Sequence, residues 1–259
     1  MCQFSIIIPT FNRTTLLKSS VNSVLKQGII EFEIIVINDF KKSIPMSGPL
    51  LNNRVKVIEK NLEKGAAFSR NVGCEEAKGE YITFLDDDDT MKDGYLLQLA
   101  TLIDKRRNED EFYFCGIELY ELNSDGKLQT GRIVFENNEI ITEKSITDAL
   151  SIGTGYGLTC RRKKLEEIGF FNEHYKYIED TELILRLLQS NSKPFSIPEC
   201  FIEVMKHNKN QLTSSANNKN RALECKKLLR EKKSFFKKHN KAKAQIINHY
   251  KYLRSECEI

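Results

Sequence analysis

The sequence predicts an α/β fold, a mixed, mostly parallel central sheet flanked by helices, from three observations. Continuously apolar runs rich in isoleucine and valine recur at residues 4–8 (FSIII) and 33–37 (EIIVI), the pattern of strands buried on both faces of a sheet. Between them, residues 14–26 carry Leu16, Leu17, Val21, Val24 and Leu25 at helical spacing. Strand, helix and strand in that order make a right-handed crossover, and the residues just after the strands are polar.

The alternation continues along the chain. Residues 55–58 read as a third strand, 66–77 as a helix ended by Gly79, and 81–85 as a fourth strand, an arrangement typical of nucleotide folds. Residues 112–122 and 128–135 flank the turn-forming cluster Asn123-Ser124-Asp125-Gly126 and predict a hairpin. Helical periodicity returns at 181–188, and 201–205 reads as a final strand. From residue 217 the chain turns helical, polar and basic, which divides it into a domain over 1–216 and an extension over 217–259.

Composition limits the function classes. At 40% apolar and 29% charged, the 259 residues are those of a folded chain, neither disordered nor collagen-like. No apolar run approaches the ~20 residues of a membrane-spanning helix. The N-terminus MCQFSIIIPTFNR lacks the basic region of a signal peptide, so a cytoplasmic location is the expectation. Seven scattered cysteines without a C-x-x-C pair argue against a zinc site or a disulfide framework; reduced, buried thiols are expected.

In an open α/β sheet a ligand sits beyond the carboxyl ends of the strands. Pro9, Thr10, Asn12 and Arg13 follow the first strand, Asn38 and Asp39 the second, and Asp86, Asp87, Asp88 and Asp89 the fourth. Four adjacent carboxylates repel one another unless a cation offsets them, and hard carboxylate oxygens suit Mn²⁺ or Mg²⁺. A solvated acidic loop is the plainer alternative. The tract lacks the spacing of an EF-hand. Read without relatives, Lys64 and Arg70 are solvated helix charges, and Glu179-Asp180 an N-terminal helix cap.

The segments SIIIPTFNR, EIIVIND, NLEKGAAFSRNVGCEEAKGEYITFLDDDD and YIEDTELILRLL, in this order and spacing, resemble the family 2 glycosyltransferases of the GT-A fold over roughly residues 4–215. The resemblance implies an inverting, metal-dependent transfer of a sugar from a nucleotide-diphosphate donor, expected to be UDP, onto a saccharide hydroxyl. It implies that Pro9, Thr10, Arg13, Asp39, Lys64, Arg70 and Asp86 contact the nucleotide, and that Asp86 and Asp88 hold Mn²⁺ or Mg²⁺. His207 stands where some relatives place a histidine near the metal. Asp180 is implied as general base, with Glu179 the alternative, and Gly155 and Tyr156 as acceptor-side residues. Asp87 receives no role. Where that family commonly has a second acid, this chain has Asn38.

The extension carries thirteen Lys/Arg against two acids between Lys219 and Arg254, so +11 of charge sits there while the whole chain carries +4. Leu228, Leu229, Phe235 and Phe236 interleave with those lysines, a composition suited to an anionic membrane surface and to a lipid-linked acceptor. Packing of the same apolar residues on the body is the alternative. No nucleic-acid motif accompanies the charge, so nucleic acid is not an expected partner. A non-catalytic nucleotide-sugar or metal-binding module and a membrane-surface adaptor stand as other readings. Oligomeric state is left open.

Overall fold

A computed structural model describes residues 3–28, 31–106, 111–123, 126–136, 141–206 and 215–256. Its first half is β1 (Phe4–Thr10), α1 (Thr14–Leu25), β2 (Phe32–Asn38), β3 (Val55–Glu59), α2 (Ala66–Glu76) and β4 (Tyr81–Phe84). A two-residue β5 (Thr90–Met91) and α3 (Tyr95–Arg106) follow, so a strand separates the aspartates from the next helix. Then come β6 (Glu111–Asn123), β7 (Gly126–Ile133), α4 (Glu143–Ser151), β8 (Thr159–Arg161), α5 (Arg162–Ile168), α6 (Glu179–Gln189) and β9 (Lys193–Lys206). The extension forms α7 (Asn218–Glu231), α8 (Lys233–Lys238) and α9 (Asn240–Ser255).

The strands make one sheet in the order β3-β2-β1-β4-β8-β6-β9-β5, with β7 hairpinned onto β6. β1 to β4 are mutually parallel, β8 is antiparallel to both β4 and β6, and β6 runs parallel to β9. Alternate residues of β1 and β2 enter different cores: Ile7, Ile35 and Ile37 one, and Ile6, Ile8, Ile34 and Val36 the other. This is why both strands read as unbroken apolar runs. The second core is closed by α1 and α3 through Leu17, Val21, Tyr95 and Leu99. Helices α2 and α4 to α9 contribute to the first.

The extension packs on the body. Leu228, Phe235 and Phe236 are buried within the same core as Phe84, Leu183 and Leu187, and Leu229 packs partly against it. The apolar residues that suggested a membrane-facing stripe are therefore spent on the chain's own interior. Glu182 pairs with Arg186 at 2.8 Å and with Lys232 of the extension at 2.9 Å and is 1% exposed, so that face of α6 is enclosed. No helix among the described residues is long and apolar enough to cross a membrane. The five described cysteines, 74, 115, 160, 200 and 225, are free and buried.

Candidate active site

Parallel register brings the strand ends together. Thr10 pairs with Asn38, Asn38 with Glu59, and Phe84 with Ile7, so the residues beyond β1, β2 and β4 share one edge. Asn38 uses its amide locally: Nδ2 donates to Glu59 at 2.6 Å and to the Lys42 carbonyl, while Oδ1 accepts from the Phe40 N–H. It therefore shapes the loop after β2. That loop and the end of β1 enclose a cleft of about 190 Å³ lined by Thr10, Asn12, Arg13, Asn38, Phe40 and Lys42, among others.

Asp39 is 2% exposed, and its carboxylate accepts the backbone N–H groups of Leu62 at 3.2 Å and Gly65 at 2.8 Å. It pins the loop before α2, where Asn61 and Glu63 hold left-handed φ angles of 57° and 53° that L-residues adopt at a cost. Pro9 lies within β1 opposite Ile37. Lys64 is exposed, with Nζ 4.6 Å from the centre of the Phe68 ring.

The aspartates divide their duties. Asp87, given no role from sequence, is 5% exposed and accepts from the Thr10 hydroxyl at 2.6 Å and from Arg13 at 3.1 Å. Burial pushes its carboxyl up to about 6 despite the Thr10 hydrogen bond. Arg13 also reaches Asp88 at 2.7 Å. Asp89 is buried and accepts the Met205 N–H at 3.1 Å, tying the tract to β9. Burial, compounded by Asp86 and Asp88, raises its carboxyl well above the usual range. His207 lies outside the described residues.

Arg70 joins the two acidic clusters. It is 4% exposed, with one guanidinium nitrogen 2.7 Å from Glu179 and the other 2.9 Å from Asp86. Burial works against its charge, but Asp86 and Glu179 outweigh that and keep it cationic. The solvated helix charge read from the sequence is instead an enclosed tie between α2, the aspartates and α6. No local pattern announces it, because its partners lie 16 and 109 residues away.

At the start of α6, burial pushes Glu179 up to about 7 even against Arg70. Asp180 is only partly enclosed; Oδ1 accepts from the Thr181 N–H at 2.6 Å, and burial again raises its affinity for a proton. Its other oxygen faces the glycine loop: a Cβ on Gly153 would lie 2.7 Å from Asp180 Oδ2. A Cβ on Gly155 would lie 3.1 Å from Asp89 Oδ2 and 3.4 Å from Asp86 Oδ2. The loop thus runs between the aspartates and α6, and glycine lets its backbone approach both. Burial, reinforced by Asp180 and Asp89, pushes the half-buried Tyr156 phenol up to about 12, so it is neutral at physiological pH.

A hard divalent cation suits this donor set. The side chain of Asp86 is 34% exposed, and that of Asp88 is more enclosed, at 10%. Among the described residues no three His, Cys, Asp or Glu side chains gather as a metal cage. A cation such as Mg²⁺ takes one or two carboxylates and completes its shell from substrate phosphates. Arg13 and Arg70 offset part of the repulsion among the aspartates, so a cation is not needed merely to hold the tract together.

Comparison with known proteins fits this arrangement. The chain is 28% identical over 212 residues to an uncharacterised glycosyltransferase of Haemophilus influenzae, covering 82% of this chain and 71% of that one. It is 30% identical over 197 residues to the GalNAc(5)-diNAcBac-PP-undecaprenol beta-1,3-glucosyltransferase of Campylobacter jejuni, covering 74% of this chain and 62% of that one. The fold matches S. aureus TarS 1–349, crystallised in complex with UDP-GlcNAc, with a TM-score of 0.68 at 22% identity over 88% of this chain and 66% of that one. The model of Glycosyl transferase family 2 matches residues 5–169, and the chain belongs to that family of glycosyltransferase enzymes, on a GT-A fold.

Proposed function

We propose that this chain is an inverting, metal-dependent glycosyltransferase that moves a sugar from a nucleotide-diphosphate donor, UDP by expectation, to a hydroxyl of a saccharide acceptor. The carrying observation is the unequal state of the two acids that open α6. Glu179 is enclosed and held by Arg70, whereas Asp180 is partly exposed and turns Oδ2 toward the glycine loop beside the aspartates. Asp180 is therefore the general base, and its raised proton affinity suits the task.

In the reaction the acceptor oxygen attacks the anomeric carbon as Asp180 takes its proton, and the bond from that carbon to the diphosphate oxygen breaks. The nucleoside diphosphate leaves from the opposite face, so one displacement inverts the anomeric configuration. Thr10 and Arg13 line the nucleotide cleft, and Tyr156 and Gly155 face the acceptor. What Mn²⁺ or Mg²⁺ held by Asp86 and Asp88 supplies, when bound, is an offset for the negative charge of the leaving diphosphate.

A lipid-linked acceptor in surface-polysaccharide synthesis is supported by the undecaprenol in the name of the Campylobacter relative. Contact with an anionic membrane would run through exposed Lys226, Arg230, Lys233 and Lys237, since Leu228, Phe235 and Phe236 beside them are buried. The test is binding and hydrolysis of a panel of nucleotide sugars with Mn²⁺, with Mg²⁺ and with chelator. Metal-dependent release of UDP from one sugar supports the reading, and absence of any metal-dependent nucleotide binding overturns it.

A further inference from the structure

Helix α7 presents a polar stripe, Asn220, Glu224, Lys227 and Glu231, at the spacing of one helix face. Every member of it contacts residues 174–178, the strap that leads into α6. Asn220 donates to the Tyr177 hydroxyl at 3.3 Å, and Lys227 donates to the His174 carbonyl at 3.3 Å while lying 4.2 Å from the Tyr175 ring centre. The Tyr175 hydroxyl donates to Glu231 at 2.7 Å. At the centre, the Glu224 carboxylate accepts three consecutive backbone N–H groups: Lys176 at 2.8 Å, Tyr177 at 3.0 Å and Ile178 at 3.2 Å.

The residues after these are Glu179 and Asp180. Ile178, the N-cap of α6, makes no side-chain capping hydrogen bond. The donors ahead of the helix are met from 46 to 48 residues downstream, by a carboxylate that belongs to the extension. Charge-assisted hydrogen bonds to three adjacent amides fix the path of that backbone more tightly than neutral ones would. Below the strap, Lys232 reaches Glu182 at 2.9 Å, one turn into α6. Backbone and side chain of the helix are thus both gripped from one side.

We infer that Glu224 is a positioning residue for the reaction: the extension sets the place of Asp180 by holding the backbone that delivers it. Glu224 touches no reacting atom in this scheme. The inference rests on Asp180 being the base, as proposed above. It makes the basic extension part of the transferase, whatever else its lysines meet.

The test uses the full chain with Glu224→Ala, Glu224→Gln and, as control, Leu223→Ala at an exposed position of the same helix. Activity is read as UDP release from the sugar donor that the wild type turns over fastest. Glu224→Ala should lower kcat about 10- to 100-fold, the scale of a small misplacement of a catalytic group, with the donor KM within about 2-fold. Glu224→Gln keeps one oxygen for the Tyr177 and Ile178 amides and should recover most of that loss, and Leu223→Ala should match the wild type. Independently of turnover, amide exchange over residues 176–181 should quicken in Glu224→Ala while β1 to β4 keep their protection. Wild-type kcat in Glu224→Ala, or unchanged exchange over 176–181, overturns the inference. Asp180→Asn separates the two levels: if it keeps full activity the base assignment fails, and if it is inactive while Glu224→Ala is not, only the positioning role fails. Should Glu224→Ala not fold, the same split between kcat and KM read on Glu224→Gln decides, a loss in kcat alone supporting the inference and wild-type values overturning it.

Discussion

Arg70 and Glu179 form an ion pair at 2.7 Å in which the two side chains are 5% and 6% exposed. A buried pair of this kind is costly to break, since whichever partner remains keeps an uncompensated charge. Here the second guanidinium nitrogen continues to Asp86, so one side chain couples the aspartate tract to the helix that carries the proposed base. Its Nε is buried without a hydrogen-bond partner among the described residues, which leaves the tie dependent on the two carboxylates.

Glu179 should make stability depend on pH. Burial lifts its carboxyl from an ordinary 4.5 to about 7 in spite of Arg70. Between those values the folded chain holds a proton that the unfolded chain has released, so the contribution of Glu179 to stability is present at low pH and is lost as pH rises through about 7. Glu179→Gln removes that loss. Urea midpoints of variant and wild type should move in the variant's favour between about pH 5 and about pH 8. A difference that does not change with pH sinks the prediction.

Gly153→Ala should separate activity from stability. The added Cβ falls 2.7 Å from Asp180 Oδ2, the free end of a side chain that can move aside. Thermal stability should therefore change little, whereas kcat should drop by about 100-fold because the oxygen of the proposed base is displaced. Gly155→Ala, at 3.1 Å from Asp89 and 3.4 Å from Asp86, should be the milder of the two. Equal kcat for Gly153→Ala and wild type would place the base elsewhere.

The elements that local chemistry specifies were legible in the sequence, with boundaries shifted by one or two residues. β1, α1, β2, β3, α2 and β4 follow from period and turn residues alone, and so does the β6–β7 hairpin. Helices α4 and α5, strands β5 and β8 and the first eight residues of β9 went unread. The β8 strand is only three residues long, and it is a strand because β4 and β6 flank it, a long-range fact. At the site, the aspartate tract and the acids of α6 stand out by position after a strand and before a helix. The roles of Arg70, Asp87 and Glu224 do not, because each depends on a partner far along the chain. The stripe on α7 was a usable signal, since its i, i+4, i+7, i+11 polar spacing runs beside the buried face of Ala222, Cys225 and Leu228.

Arg13→Ala should move donor and metal binding in opposite directions. Arg13 lies 3.1 Å from Asp87 and 2.7 Å from Asp88 and lines the cleft proposed to take the nucleotide. Its removal takes a cation from the donor's phosphates and equally from Asp88. The donor KM should rise about 10-fold, the scale of one charge-assisted hydrogen bond, while the Mn²⁺ concentration for half-maximal activity falls. Parallel weakening of both would mean that Arg13 orders the metal site instead of competing with it.

Phe236→Ala tests whether the extension is structural. Phe236 is 2% exposed in the core that also holds Leu183 and Leu187 of α6, and truncating a phenylalanine at such a place costs roughly 3–5 kcal/mol. The urea midpoint should fall accordingly, and a chain ended at residue 217 should expose Leu183-side core and lose cooperative unfolding. A surface extension predicts the opposite, an unchanged midpoint for both. Exposed Lys237, next in sequence, is the control: Lys237→Ala should leave the midpoint alone, as surface changes usually do. Because α6 carries the proposed base, the same loss of packing should appear in kcat before the chain unfolds, as a slope of activity against urea in Phe236→Ala that begins below the global transition.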